Sequence, residues 1–326
     1  MSFTRRQFGR VALAGAPAIG ALLRGDLAAA AVGQAPPKLS QWAGVQLGLN
    51  VPYSLGTGNN IAAEDLLKRV VEVGVGSLEL RAQPVEHFLG SPTVRAAAEA
   101  AKAGGTRPAA PTPQQKAEIR SWRLSAPSGK LKELRQMYEH AGVAIDILKV
   151  DDLYAISDEE LDYFFQMARD LGARAISAEL PETRSDTKRI GAFADKHKVF
   201  MAYHHHAQPA AAIYEEAFTE ARYNAANVDI GHWTATQNAS PLPFIAKHHD
   251  RIPHIHVKDR RLGTNGGENT PFGQGDTAIR QILQAIRDNK WNIRPIIEFE
   301  YRVPEGSDRV TEIKKCLAYC RDSLLA

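Results

Sequence analysis

Short apolar runs alternate along this chain with longer stretches in which apolar residues recur every three or four positions. The short runs read as strands at Val45–Val51, Ser77–Leu80, Val143–Val150, Ala173–Leu180, Val199–His206, Val228–Trp233, Ile252–Asp259 and Ile293–Tyr301. The longer stretches read as helices at Ala62–Val73, Leu131–Ala141, Asp158–Leu171, Asp186–His197, Ala211–Ala221, Pro241–His248, Thr277–Asn289 and Asp308–Leu325. Strands separated by helices form βαβ units, and eight of them predict an α/β chain closed into a single-domain (β/α)8 TIM barrel. An open, doubly wound sheet would carry a glycine-rich turn after its first strand. That position reads Asn50-Val51-Pro52-Tyr53, so the dinucleotide fingerprint is absent.

One segment departs from the alternation. Residues 84–129 are rich in Ala, Pro and Lys, with Gly104-Gly105 and prolines from Pro108 to Pro113. This pattern predicts a helix, a flexible turn and a second helix inserted after the second strand. An excursion of that length is a candidate lid or a contact between copies in a homo-oligomer.

Each strand can be phased from its own sequence, because the face toward the surrounding helices must be apolar. In Ile252–Asp259 the outward set is Pro253, Ile255 and Val257, which leaves His254, His256 and Lys258 inside. In Ile293–Tyr301 the outward set is Ile293, Pro295, Ile297 and Phe299, which turns Glu298 and Glu300 inward. The same logic sends Glu79, Glu179 and Asp229 inward. It also puts His204 and His206 inside and His205 outside. Six strands each aim a carboxylate or imidazole at the interior, near the strand ends where barrel sites assemble. So many buried ionisable groups are costly unless compensated, and a divalent cation is the simplest compensation.

The second half of the chain resembles the xylose-isomerase-like barrel superfamily of sugar phosphate isomerases and epimerases. The resemblance rests on Ala202-Tyr203-His204-His205-His206, Val228-Asp229-Ile230-Gly231-His232-Trp233, His254-Ile255-His256-Val257-Lys258-Asp259, Phe272-Gly273-Gln274-Gly275-Asp276 and Ile296-Ile297-Glu298-Phe299-Glu300. Order and spacing match over about residues 43–322. In that family a Glu, an Asp, a His and a Glu from four successive strands hold one divalent ion. Asp229, His256 and Glu298 match the last three. The first position holds His204 here, and Glu179 on the preceding strand is the alternative fourth ligand. Such a mixed set suits Mn²⁺, with Co²⁺, Zn²⁺, Fe²⁺ or Mg²⁺ also accepted, better than Ca²⁺.

The resemblance further implies proton abstraction next to a sugar carbonyl through an enediolate, stabilised by the metal. Two-base epimerases use the first and last glutamates, and the His204 departure weakens that arrangement. A lyase acting on 3-oxo-glycosides, which removes the C2 proton and expels the C1 substituent, is therefore the preferred expectation. An isomerase or epimerase of unphosphorylated ketoses is the alternative. Glu298, His206, His232 and Lys258 are the candidate catalytic groups. Glu79, Glu300, Trp233 and Tyr53 are the candidate sugar contacts.

Charge and the N-terminus bear on the setting. The formal net charge is +3, and residues 1–32 hold Arg5, Arg6, Arg10 and Arg24 against Asp26 alone. The remainder is close to neutral and shows no basic stripe, which argues against a nucleic-acid partner and a metal-dependent endonuclease. Arg5-Arg6-Gln7-Phe8, the apolar run Val11–Leu23 and the small residues Ala28–Ala31 resemble a twin-arginine export signal with its cleavage site. The barrel then occupies 33–326, in the periplasm or secreted. Glycosides are common there and sugar phosphates scarce, and a non-catalytic sugar-binding protein is the remaining rival. Cys316 and Cys320 share one helical face, and two such residues alone do not close a zinc site.

Overall fold

The computed structural model describes residues 39–102, 112–181 and 183–326. The export-signal expectation and the Gly104-Gly105 turn lie outside them. The eight barrel strands are β1 Gly48–Val51, β2 Ser77–Arg81, β3 Ala144–Lys149, β4 Ala175–Glu179, β5 Phe200–His204, β6 Asn224–Asp229, β7 His254–Val257 and β8 Arg294–Ile297. All neighbours pair in parallel, and β8 pairs with β1, so the sheet closes as the alternation predicts.

Around it run helices α1 Ala63–Val73, α2 Ala82–Leu89, α3 Pro92–Lys102, α4 Pro113–Ser125, α5 Lys130–His140, α6 Asp158–Leu171, α7 Arg184–His197, α8 Ala210–Glu220, α9 Ile230–Gln237, α10 Leu242–His248, α11 Ile279–Asp288 and α12 Arg309–Leu325. The main core lies between strands and helices, and holds Leu78, Ile176, Tyr203, Val228, Ile255, Val257, Ile297 and Phe299. These are the outward sets that parity selects. Cys316 and Cys320 are buried and free on α12. No helix among the described residues is long and apolar enough to cross a membrane.

The excursion after β2 contributes α2, α3 and α4. Arg123 of α4 bonds Glu86 of α2 at 2.8 Å and Glu160 of α6 at 2.8 Å, and lies over the Phe164 ring. Its α4 is thereby pinned to the helical layer.

The sixth strand differs from the reading in a way that shapes the site. It begins at Asn224 and ends at Asp229, whereas the apolar pattern placed it at Val228–Trp233. Asn224-Ala225-Ala226-Asn227 has little strand character of its own. It is held by tertiary contacts: the Asn224 amide donates to Thr187 and Ala217 carbonyls and accepts from the Tyr203 hydroxyl. Ile230 to Trp233 instead open α9, because the Asp229 carboxylate accepts from the His232 backbone N–H at 2.7 Å.

Candidate metal centre at the barrel mouth

Four side chains from four successive strand ends converge at the C-terminal end of the barrel. His204 Nε2 lies 3.4 Å from Asp229 Oδ2. His256 Nδ1 lies 3.7 Å from the same oxygen and 3.4 Å from Glu298 Oε2. A four-coordinate ion with bonds of about 2.0–2.1 Å sets its ligand atoms about 3.3–3.4 Å apart, close to these three separations. His204, Asp229, His232 and Glu298 also each offer an atom within 4.8 Å of the others, so His232 is a second imidazole candidate for the same centre.

The ring tautomers fit as well. His204 Nδ1 lies 2.9 Å from Glu179 Oε2, and a carboxylate can only accept, so the proton sits on Nδ1. The Nε2 lone pair then faces the Asp229 carboxylate, so two acceptors meet at 3.4 Å. His256 Nε2 donates to Glu79, and its Nδ1 is buried without a partner. Each imidazole is thus held from behind by a carboxylate and presents its other nitrogen to the centre, the usual arrangement of metal-bound histidine. Glu179 itself stands behind His204, with its other oxygen 2.6 Å from Lys149 Nζ.

Lys258 also points inward. Its ammonium lies 3.0 Å from Asp229 Oδ2, 2.7 Å from Glu298 Oε2, 2.8 Å from Glu300 Oε2 and 3.0 Å from His232 Nε2. Its stem crosses Gly231, where an added Cβ would come within 2.5 Å of Lys258 Cγ, so only glycine leaves it room. Burial opposes the charge of Lys258, yet Asp229, Glu298 and Glu300 outweigh it and raise its pKa. Burial likewise opposes ionisation of Asp229, but Lys258 and His232 hold its carboxyl well below the usual range. Five carboxylates, Glu79, Glu179, Asp229, Glu298 and Glu300, meet two lysines. Without a metal, His256 carries part of the balance, since Glu79 and Glu298 overcome its burial and raise its pKa well above the ordinary value.

The other expected groups divide by depth. His206 is half exposed, with Nδ1 3.6 Å from Glu179 Oε2, and burial and His204 lower its pKa. His232 lies between Lys258 and Arg260, whose Nη1 is 2.6 Å from its Nδ1, and burial foremost pushes it down to about 3. Tyr53 is exposed at the rim and donates to Glu300 Oε1 at 3.0 Å.

Two expected sugar contacts need correction. Glu79 is fully buried beneath His256 and does not line the mouth. Trp233 is 8% exposed and packs among the helices, 5.8 Å from the His205 ring and 5.1 Å from Phe244. The helix that Asp229 starts carries His232 to the mouth and Trp233 into the core. The sequence reading also missed Asn50, whose amide donates to Glu298 Oε1 at 2.8 Å, and Lys149. Parity would have found both, since Leu49 and Val51 flank Asn50.

No protein-family model matches the sequence, and no curated protein does. The fold is similar to those of solved xylose isomerase-like barrels. A xylose isomerase domain protein from Alicyclobacillus acidocaldarius is 14% identical over 86% of this chain and 100% of its own, with a TM-score of 0.59. A xylose isomerase domain protein from Planctomyces limnophilus is 14% identical over 85% and 94%, with a TM-score of 0.53. A protein from Bacillus anthracis, described as a probable 3-DHS dehydratase involved in petrobactin synthesis, is 13% identical over 84% and 98%, with a TM-score of 0.54. These likenesses show the fold of this chain, a single-domain (β/α)8 TIM barrel.

Proposed function

We propose that this chain is a metal-dependent carbohydrate enzyme that abstracts a proton next to a carbonyl and acts as a lyase on 3-oxo-glycosides. The observation that carries the metal is the convergence of His204 Nε2, Asp229 Oδ2, His256 Nδ1 and Glu298 Oε2, with Glu179 and Glu79 orienting the two imidazoles. Mn²⁺ is the first expectation for this mixed set, and Zn²⁺, Co²⁺ or Fe²⁺ also fit it. Bound there, the ion would polarise substrate oxygens and stabilise the charge that develops on deprotonation.

The chain's own residues favour elimination over epimerisation. Epimerisation through two carboxylate bases needs a free carboxylate on each face of the sugar. The position for one of them holds His204, whose Nδ1 donates to Glu179 and whose Nε2 is given to the metal in this reading. His206 remains as a neutral, half-exposed imidazole at the mouth, suited to take the C2 proton. Lys258 supplies positive charge toward the developing oxyanion, and Tyr53 stands at the rim as a sugar contact. As the C2–H bond breaks, its electron pair forms the C2=C3 bond and the C3 carbonyl oxygen takes up the negative charge. As that carbonyl re-forms, the C2=C3 pair becomes the C1=C2 bond while the C1–O bond breaks, and the aglycone oxygen leaves with the bonding pair and is protonated to the alcohol. The dehydratase described among the similar barrels is also an elimination enzyme, which supports this reading at the level of fold analogy. Export by the twin-arginine route belongs to the same proposal, placing the enzyme where glycosides occur.

Assaying the metal-reconstituted protein on 3-oxo-glycosides and on free ketoses tests the reading. Release of aglycone is expected. Turnover of ketoses alone would sink the lyase in favour of an isomerase.

A further inference from the structure

His232 stands between two cations, and a neutral imidazole has only one lone pair to give them. Arg260 Nη1 lies 2.6 Å from His232 Nδ1, and Lys258 Nζ lies 3.0 Å from His232 Nε2. Both neighbours are donors, so one of the two contacts sets a donor against a donor. The surroundings decide which. The ammonium has three hydrogens, and three carboxylate oxygens take them: Asp229 Oδ2 at 3.0 Å, Glu298 Oε2 at 2.7 Å and Glu300 Oε2 at 2.8 Å. None is left for the imidazole. A guanidinium stays protonated and can only donate. Nδ1 therefore accepts from Arg260, and the ring proton sits on Nε2.

Arg260 is itself held in place. Its Nε donates to the Gly267 carbonyl at 2.8 Å, and its Nη2 donates to the same oxygen, which leaves Nη1 for the imidazole. Gly266 and Gly267 have φ of 98° and 68°, backbone that favours glycine, in the turn that brings this carbonyl to the guanidinium. Arg260 pairs with Asn269 across a short antiparallel ladder, and its backbone N–H donates to Thr277 Oγ1 at 3.0 Å. Gly231 leaves room for its stem, since an added Cβ there would come within 3.2 Å of Arg260 Cγ. The glycine-bearing loop after β7 thus aims one N–H at one imidazole nitrogen.

That contact opposes the preference the ring would otherwise have. Without Arg260, the Lys258 ammonium would favour a lone pair on Nε2, and the proton would move to Nδ1. The lone pair would then face the centre, where Nε2 lies 4.0 Å from Asp229 Oδ2 and His232 is close enough to share an ion with His204, Asp229 and Glu298. We propose that Arg260 is a positioning residue: it holds His232 as the Nε2–H tautomer, which keeps the ring out of the metal's shell and makes it a hydrogen-bond donor to the substrate. A substrate oxygen seated beside both nitrogens accepts from Nε2–H and faces the Lys258 charge, the surroundings that a developing oxyanion needs. The donor role rests on the lyase reading above, and the tautomer does not. The same tautomer leaves His232 no lone pair at the mouth with which to act as a base.

Long-range ¹H–¹⁵N correlation NMR of the full-length chain, stripped of metal and then loaded with diamagnetic Zn²⁺, reads each ring tautomer directly. The His232 signals are those lost in His232→Gln. Wild type should carry the proton on Nε2 in both states, and Arg260→Met should move it to Nδ1 in the stripped chain. Circular dichroism checks that each variant folds. A wild-type proton on Nδ1, or no change in Arg260→Met, would overturn the proposal and leave the metal and lyase readings standing. Calorimetry gives a second arm: His232→Gln should lose less than about tenfold in Mn²⁺ affinity, and a larger loss would make His232 a ligand. In the aglycone-release assay, His232→Ala should lower kcat about 10²–10³-fold with KM nearly unchanged. Gln, whose amide can place an N–H near the Nε2 position, should recover about tenfold of that. Equal loss in both variants would overturn the donor role. A wild-type chain that releases no aglycone, with the proton still on Nε2, would end the lyase reading and keep the tautomer.

Discussion

The Lys258 ammonium lies 2.7 Å from Glu298 Oε2, the oxygen that also faces His256 Nδ1. One carboxylate oxygen therefore serves both a resident cation and the candidate metal position. The two positive charges repel across that shared atom. Replacing Lys258 by Met should raise Mn²⁺ affinity by about tenfold, or about 1.4 kcal/mol. It should also lower turnover about a hundredfold or more, because an oxyanion donor is lost. Titration calorimetry and the aglycone-release assay read the two effects separately. A variant with weaker metal binding would mean that the ammonium positions the carboxylates and does not oppose the ion.

Glu179 acts through His204 in this account. Glu179→Gln keeps the shape but can present an amide N–H to Nδ1, which favours the wrong tautomer. Metal affinity should fall about 10–100-fold, the usual effect of losing such a partner. Competition against a chromophoric chelator measures this. Unchanged affinity would remove Glu179 from the metal's support and leave it as a surface partner of Lys149.

His205 provides a stability test away from the chemistry. Its Nδ1 lies 2.8 Å from the Tyr214 hydroxyl, which itself donates to the Asn227 carbonyl, so His205 is the donor. Burial pushes its pKa down to about 3. The folded state holds it neutral while the unfolded chain protonates near 6.5. Its contribution is therefore fully present above about pH 6.5 and is lost as pH falls toward 3. At pH 5.5 the loss is about 1.4 kcal/mol. His205→Asn, whose amide replaces the Nδ1 donor, should flatten the fall in Tm between pH 7.5 and 5.5. An identical slope in the variant would show that other groups carry the acid sensitivity.

Much of this was legible in the sequence, and for a definite reason. Outward apolar sets such as Ile255 and Val257 mark the face of each strand, so the closed barrel and the inward direction of Asp229, His256, Lys258 and Glu298 follow from parity alone. Depth does not. Glu79 and Asp229 both point inward, but only strand register tells that Glu79 lies under His256 and not at the rim. The start of β6 was invisible because Asn224-Ala225-Ala226-Asn227 is held by tertiary hydrogen bonds and not by strand propensity. The role of Asp229 as a helix cap was missed for the same stretch, and with it the burial of Trp233.

His206 is assigned as base on exposure and neutrality. His206→Ala should cut kcat for aglycone release by about 10²–10⁴-fold while changing metal affinity little, since its ring is outside the proposed ligand set. Single-turnover assays beside calorimetry make the distinction. Parallel loss of metal would reassign His206 as a ligand, grouped with His204 and His232, whose donor atoms lie close enough to share an ion.

The central claim is the metal itself. Crystals of the stripped protein soaked in Mn²⁺, with diffraction collected for manganese anomalous signal, place the ion directly. A peak within bonding distance of His204 Nε2, Asp229 Oδ2, His256 Nδ1 and Glu298 Oε2 is the predicted result. An empty map at that position, with the Lys258 ammonium still spanning Asp229 and Glu298, would contradict it.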